Sequence, residues 1–200
     1  DIGTLTPDVT ETLANWVLNG GTLVRFAGPR LAAATDDLVP VRLRHGDRVL
    51  GGSLTWQDPQ PLASFSPASP FAGLPVPKDV LVKRQVLAEP DGMLSEHTWA
   101  SLADGTPLVT AAPSGKGWLI LFHVTADTSW SNLPLSGTFV EMLRRVIAFS
   151  SAGAAKQAKP GDTVALLQPL RLLDGFGHFA SPGSDAKAVP ADGAVAVDAA

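Results

Sequence analysis

Apolar positions along the chain recur with two periods, and each predicts an element. Val9, Leu13, Trp16 and Val17 stand at i, i+4, i+7 and i+8 and predict one face of a helix. Thr6-Pro7 ahead of them is a start signal, a hydroxyl cap followed by proline at the first helical position. Asn19-Gly20-Gly21 predicts the stop, because glycine enters the left-handed conformation without steric cost. The run TLVRF at residues 22–26 then predicts a strand. Helix, Gly-Gly and strand in that order imply a parallel sheet with an earlier strand upstream.

The middle of the chain reads mainly as strands. Residues 27–37 predict a loop. Residues 38–43 and 49–56 predict two strands around the turn His45-Gly46-Asp47. Residues 58–77 contain six prolines and predict irregular chain, since proline removes a ladder donor. Phe65, Phe71 and Leu74 would anchor that stretch to the core. Strands are predicted again at 80–87, 98–102, 107–112 and 117–124. Asp104-Gly105 and Ser114-Gly115-Lys116-Gly117 join the last three as antiparallel hairpins. A second helix is predicted at 137–149, burying Phe139, Met142, Leu143 and Val146. Arg144 and Arg145 lie late in it, where cations suit the helix dipole. Strands mixed with helices predict an α/β domain at 1–150, its sheet mixed but largely parallel, with a β-rich insertion. Residues 151–161, SAGAAKQAKPG, read as a linker, and 162–200 as the start of a β-type segment. Residues 1–5 read like the tail of a strand, and AVAVDAA at the end like a strand cut short. The expectation is therefore a piece of a larger protein.

Composition narrows the function classes. Of 200 residues, 45% are hydrophobic and 17% charged, which is a globular balance. A net charge of −4 without a basic run argues against a nucleic-acid partner. The absence of cysteine excludes disulfides, thiolate metal sites and a cysteine nucleophile. No apolar run reaches the length of a membrane span, and no signal peptide is visible.

Candidate chemistry concentrates where the apolar run 118–122 hands over to the second helix, in FHVTADTSWSN. Ligands of open α/β sheets bind at the carboxyl ends of strands. His123, Thr125, Asp127, Trp130 and Asn132 are accordingly the candidate ligand-binding residues. His123 is either a general base or a hydrogen-bonded strand-end histidine. Asp127 and Trp130-Ser131-Asn132 form either a binding rim or an aspartate turn with a packed tryptophan. Ser114-Gly115-Lys116-Gly117 lies between strands, so it reads as a hairpin turn and not a phosphate loop. His45, His97, His123 and His178 show no metal spacing, and neither a metal nor another cofactor is expected. Asp36, Asp37, Glu89 and Asp91 are isolated loop acids.

The segments LANWVLNGGTLVRFAGPRLA, RVLGGSLTW, SPFAGLPVP, TWASLADGTPLVTA, GKGWLILFHVTAD and WSNLPLSGTFVEMLRR resemble the central region of certain bacterial membrane proteins. Those proteins carry an aerotolerance-regulator (BatA-like) segment at the N-terminus and domain of unknown function 4159 at the C-terminus. The resemblance covers about residues 2–150, and LLDGFG fits the segment that follows. It implies a class I glutamine amidotransferase-like fold and anchoring in the inner membrane through segments outside this stretch. It also implies a periplasmic domain serving envelope integrity or stress tolerance. Working amidotransferases use a cysteine on a strand-to-helix elbow with a His/Glu dyad. This chain has no cysteine, and Val124-Thr125 follows His123 in place of a Pro-Glu pair. The expectation is a non-catalytic domain binding an unidentified protein partner or small ligand. The alternatives are a hydrolase of amides or carbohydrates using His123 and Asp127, and a structural assembly module.

Overall fold

A computed structural model describes residues 2, 5–33, 37–44 and 53–157, with side chains to Ser150. It also describes four two-residue strands beyond them. The His45-Gly46-Asp47 turn, Asp36, His178 and most of LLDGFG lie outside the described residues.

Helix α1 (Pro7–Leu18) leads into strand β1 (Thr22–Phe26). Gly20, with φ of 118°, lets two bonds close the helix end: Gly20 N–H to Val17 O at 2.9 Å and Gly21 N–H to Trp16 O at 3.0 Å. The short helix α2 (Pro29–Ala32) interrupts the predicted loop. Strands β2 (Ser53–Pro61) and β3 (Leu81–Val86) form an antiparallel ribbon. Helix α3 (Leu94–His97) precedes β4 (Thr98–Ser101), β5 (Pro107–Ser114) and β6 (Gly117–Phe122). A 3₁₀ turn at Leu133–Leu135 leads to α4 (Gly137–Gln157).

The main sheet has the order β1-β6-β5-β4. β1 runs parallel to β6, as the helix, Gly-Gly, strand order implies. The expectation of a largely parallel sheet is corrected: β6–β5 and β5–β4 are both antiparallel. The reason is connection length, since the tight turns at Gly105 and Gly115 allow only hairpins. The sheet is thus mixed, and helices flank it. Alternation along β1 and β6 sorts side chains between two faces. Leu23 and Leu119 meet Leu13, Ala14 and Val17 of α1. Val24, Phe26, Ile120 and Phe122 meet Phe139, Met142, Leu143 and Val146 of α4. Phe26 stacks on Phe122 with ring centroids 4.9 Å apart.

Several local expectations shift. Trp16, expected on the buried face of α1, is 51% exposed. Its ring lies against Gly21, where a Cβ would clash with it. Of 38–43, only Leu43 makes a ladder contact, and its partner is Ala88 beyond β3. Leu43, Val86, Leu31 and Trp130 share one apolar cluster, which pulls the segment there. β2 begins at Ser53 and runs to Pro61, so the proline-rich stretch starts as strand. Pro59 falls where the register of the two-stranded ribbon shifts between Thr55 and Gln60, and proline is tolerated at such an irregularity.

The chain divides into two compact units, 1–151 and 152–200. α4 continues as helix to Gln157, so the first residues of the expected linker are helical. In the second unit, Leu166–Leu167 pairs antiparallel with Val189–Pro190, and Leu172–Leu173 with Phe179–Ala180.

Candidate functional site

The site begins one residue beyond β6. His123 is completely buried. Its backbone joins two neighbours: its N–H donates to Leu108 O at 2.8 Å, and its carbonyl accepts from Val86 N–H at 2.9 Å. The ring repeats this link. Nδ1 lies 2.7 Å from Val86 O, and Nε2 lies 2.9 Å from Thr110 Oγ1. A carbonyl can only accept, so the network assigns the proton to Nδ1 and leaves Nε2 to accept from the Thr110 hydroxyl. Burial pushes the ring pKa down to about 4, against a smaller upward pull from the Val86 carbonyl. The neutral ring has both nitrogens in use and no carboxylate beside it. His123 ties β6, β5 and β3 together.

The following turn faces outward. Ala126, Asp127, Thr128 and Ser129 are exposed, whereas Thr125 beside them is buried. Asp127 Oδ1 accepts from Thr125 Oγ1 at 3.0 Å, from Ser129 N–H at 2.8 Å, and from the Ser129 hydroxyl. The Ser129 hydroxyl, its N–H and the Thr125 hydroxyl, in that order, hold the Asp127 carboxyl below the usual carboxylate range. This is an aspartate turn that leaves the second carboxylate oxygen outside these bonds.

Trp130 and Asn132 then return to the body of the domain. Trp130 is 3% exposed. Its carbonyl accepts from Lys83 N–H at 2.7 Å and Arg84 N–H at 3.2 Å, and the Arg84 guanidinium carbon stands 5.7 Å from its ring centroid. Asn132 Oδ1 accepts from Leu81 N–H at 2.7 Å, and its Nδ2 donates to Asp79 O at 2.8 Å. Of the five candidates, Thr125 and Asp127 touch each other. His123, Trp130 and Asn132 are spent separately on holding β3 and β5.

Some structural polar residues carried no signal in the sequence. Thr110 is buried in β5 because His123 needs its hydroxyl. Arg145, expected near the helix end, lies mid-way along α4, because the helix runs on to Gln157, and donates to Pro70 O at 3.1 Å and Ala72 O at 2.6 Å, pinning the proline-rich loop. Gln85 is fully buried, yet neither end of its amide has a partner. In LVKRQV it follows Lys83 and Arg84, so its polarity did not stand out in the sequence. Ser114-Gly115-Lys116-Gly117 is a hairpin turn docked on α1: Lys116 N–H donates to Leu18 O at 3.0 Å. A Cβ on Gly117 would run into the carbonyl oxygens of Val17 and Gly21. Among the described residues, no three His, Asp or Glu side chains converge on a metal position. Beside β1 lies a cleft of about 220 Å³, lined by Ile2, Leu5, Leu13, Leu23, Val24, Arg25, Phe26 and Ala126.

No family model matches the chain. No curated protein matches it either. Two solved structures are similar in fold. "Cytoplasmic Protein STM3548 from Salmonella typhimurium" superposes with a TM-score of 0.57 at 15% identity, covering 73% of this chain and 61% of that one. "Cytoplasmic Protein STM1381 from Salmonella typhimurium LT2" gives 0.52 at 14% identity, covering 72% and 60%. The chain therefore spans about three fifths of the length of either neighbour. No helix among the described residues is long and apolar enough to cross a membrane. The chain is similar to these two proteins in fold, a mixed α/β sheet between helices.

Proposed function

We propose that this domain is a non-catalytic binding module of amidotransferase-like fold, carried by a BatA-like inner-membrane protein and facing the periplasm. The observation that carries the non-catalytic reading is the state of His123. A general base needs a nitrogen within reach of substrate, and both of its nitrogens are bonded inside the protein. The exposed turn at Asp127 supplies a polar edge for a protein partner or a small ligand. Membrane anchoring and the periplasmic face rest on the sequence resemblance. The printed names of both structural neighbours call those proteins cytoplasmic, which weighs against that placement.

The experiment is ammonia release from glutamine by the purified protein and by His123→Ala. Neither should turn over. Turnover that disappears in the variant overturns the non-catalytic reading.

A further inference from the structure

A cleft of about 480 Å³ lies beside β4, between the chain at 64–66, the turn of α3 and the hairpin turn at Gly105. That volume is in the range of small-molecule sites. Every residue that lines it lies between 64 and 107, and β4 is the edge strand farthest from β1. Backbone bonds hold its walls. Ala63 N–H donates to Ser101 O at 2.9 Å, Ser66 N–H donates to Trp99 O at 3.4 Å, and Leu62 bridges to Leu102. The Thr98 hydroxyl donates to Leu94 O at 2.7 Å and closes the turn from α3 into β4. The polar lining is Ser64, Ser66, Ser95, Thr98, Ser101 and Asp91. Among the described residues, the hydroxyls of Ser64, Ser95 and Ser101 make no hydrogen bond. Ser66 Oγ accepts from Ala68 N–H at 3.3 Å and keeps its own proton to donate. Asp91 is exposed, and its Oδ1 accepts from Met93 N–H at 2.7 Å, which leaves Oδ2 for a ligand. Trp99 forms the floor, but its ring packs on Phe71 and Phe149 and is 6% exposed.

This lining narrows the ligand by elimination. Among the described residues, no Lys, Arg or His lines the cleft, so an anion would meet a carboxylate and no counter-charge. An apolar ligand would strand the hydroxyls without partners. A peptide added as a strand would find the Trp99 and Ser101 carbonyls already taken by Ser66 and Ala63. What remains is a neutral ligand that both donates and accepts hydrogen bonds. A serine hydroxyl does both, and a carboxylate accepts from two neighbouring hydroxyls. We propose that this cleft binds a neutral sugar by its hydroxyl edge. Asp91 accepts from the sugar, and Ser64, Ser95 and Ser101 exchange donor and acceptor bonds with it. Leu94 and Pro107 give the sugar's C–H groups an apolar surface. The cleft shares no residue with the Asp127 turn, and the inference depends on neither that turn nor the membrane reading.

Amide chemical shifts of the 200-residue protein test the site. Glucose, galactose, mannose and N-acetylglucosamine are each added to millimolar levels, with inorganic phosphate as the anion control. At least one sugar should shift the amides of Ser64, Ser95, Ser101 and Gly105 to saturation, and phosphate should not. Asp91→Asn keeps an oxygen for the Met93 N–H but loses the charge, and should weaken sugar binding about tenfold. Ser101→Ala should weaken it roughly threefold to tenfold. If a variant unfolds, the wild-type shifts decide alone. The absence of a saturable shift with all of these sugars overturns the proposal. So does phosphate binding in the cleft, or sugar binding that every folded variant leaves unchanged. Sugar shifts confined to residues 125–129 overturn it as well, and leave the Asp127 turn standing as the binding edge.

Discussion

At the scale of single residues, His123 shows how chemistry read from a sequence can be structural. The sequence places a histidine at a strand end and leaves two roles open. What decides between them is a threonine 13 positions earlier and a carbonyl 37 positions earlier, neither legible from spacing along the chain. The ring also makes a pH prediction. Unfolded it titrates near 6.5, and folded near 4. Between those values the unfolded chain binds more protons, so stability falls as pH drops through that window and levels off below it. The full change is roughly 3 kcal/mol. Urea midpoints measured from pH 7 to pH 4 should fall for the wild type and fall less for His123→Gln. Equal slopes would mean that the ring is protonated in the folded protein without cost.

At the scale of elements, helices α1 and α4 and strands β1 and β3 to β6 were legible because each has a strong period and a clear stop. The misjudged elements depend on distant partners. Pro59 can sit in β2 because the register shifts there, and Pro61 can because it needs only its carbonyl, which accepts from Ala103 N–H at 2.9 Å. Within 38–43, Val39 and Leu43 join the apolar cluster around Trp130, whereas Leu38 joins the cluster under α1. The loop at 125–136 behaves as two elements. Its first half is an exposed aspartate turn, and its second half is stitched to β3. Trp130→Ala should therefore cost about 3–5 kcal/mol, as for other buried aromatics. Asp127→Ala should change stability little, because its bonds lie at the surface. Thermal melts of both variants check this. An unchanged melting temperature for Trp130→Ala would move Trp130 from the core to a binding surface.

At the scale of the whole molecule, composition and element order identify the class, α/β with a mixed sheet, but not the balance of strand directions. Hairpin turns decide that balance: they make both remaining pairs of the main sheet antiparallel, and the one parallel pair, β1 with β6, is the one that the helix, Gly-Gly, strand order implies. Location belongs to this scale as well. Reporter fusions near Ala152, in the protein expressed from its own gene, should give activity from an export-dependent reporter. A silent export reporter beside an active cytoplasmic one would rule out the periplasmic reading. The two hairpin turns of the main sheet bear on any such fusion. Around Gly105 the space beyond the backbone is open, whereas the Gly115–Gly117 turn is wedged against the end of α1. They look alike as text, yet only the first is a usable attachment point for a dye, an epitope or a tether. Cargo placed at the second would lever the helix off the sheet.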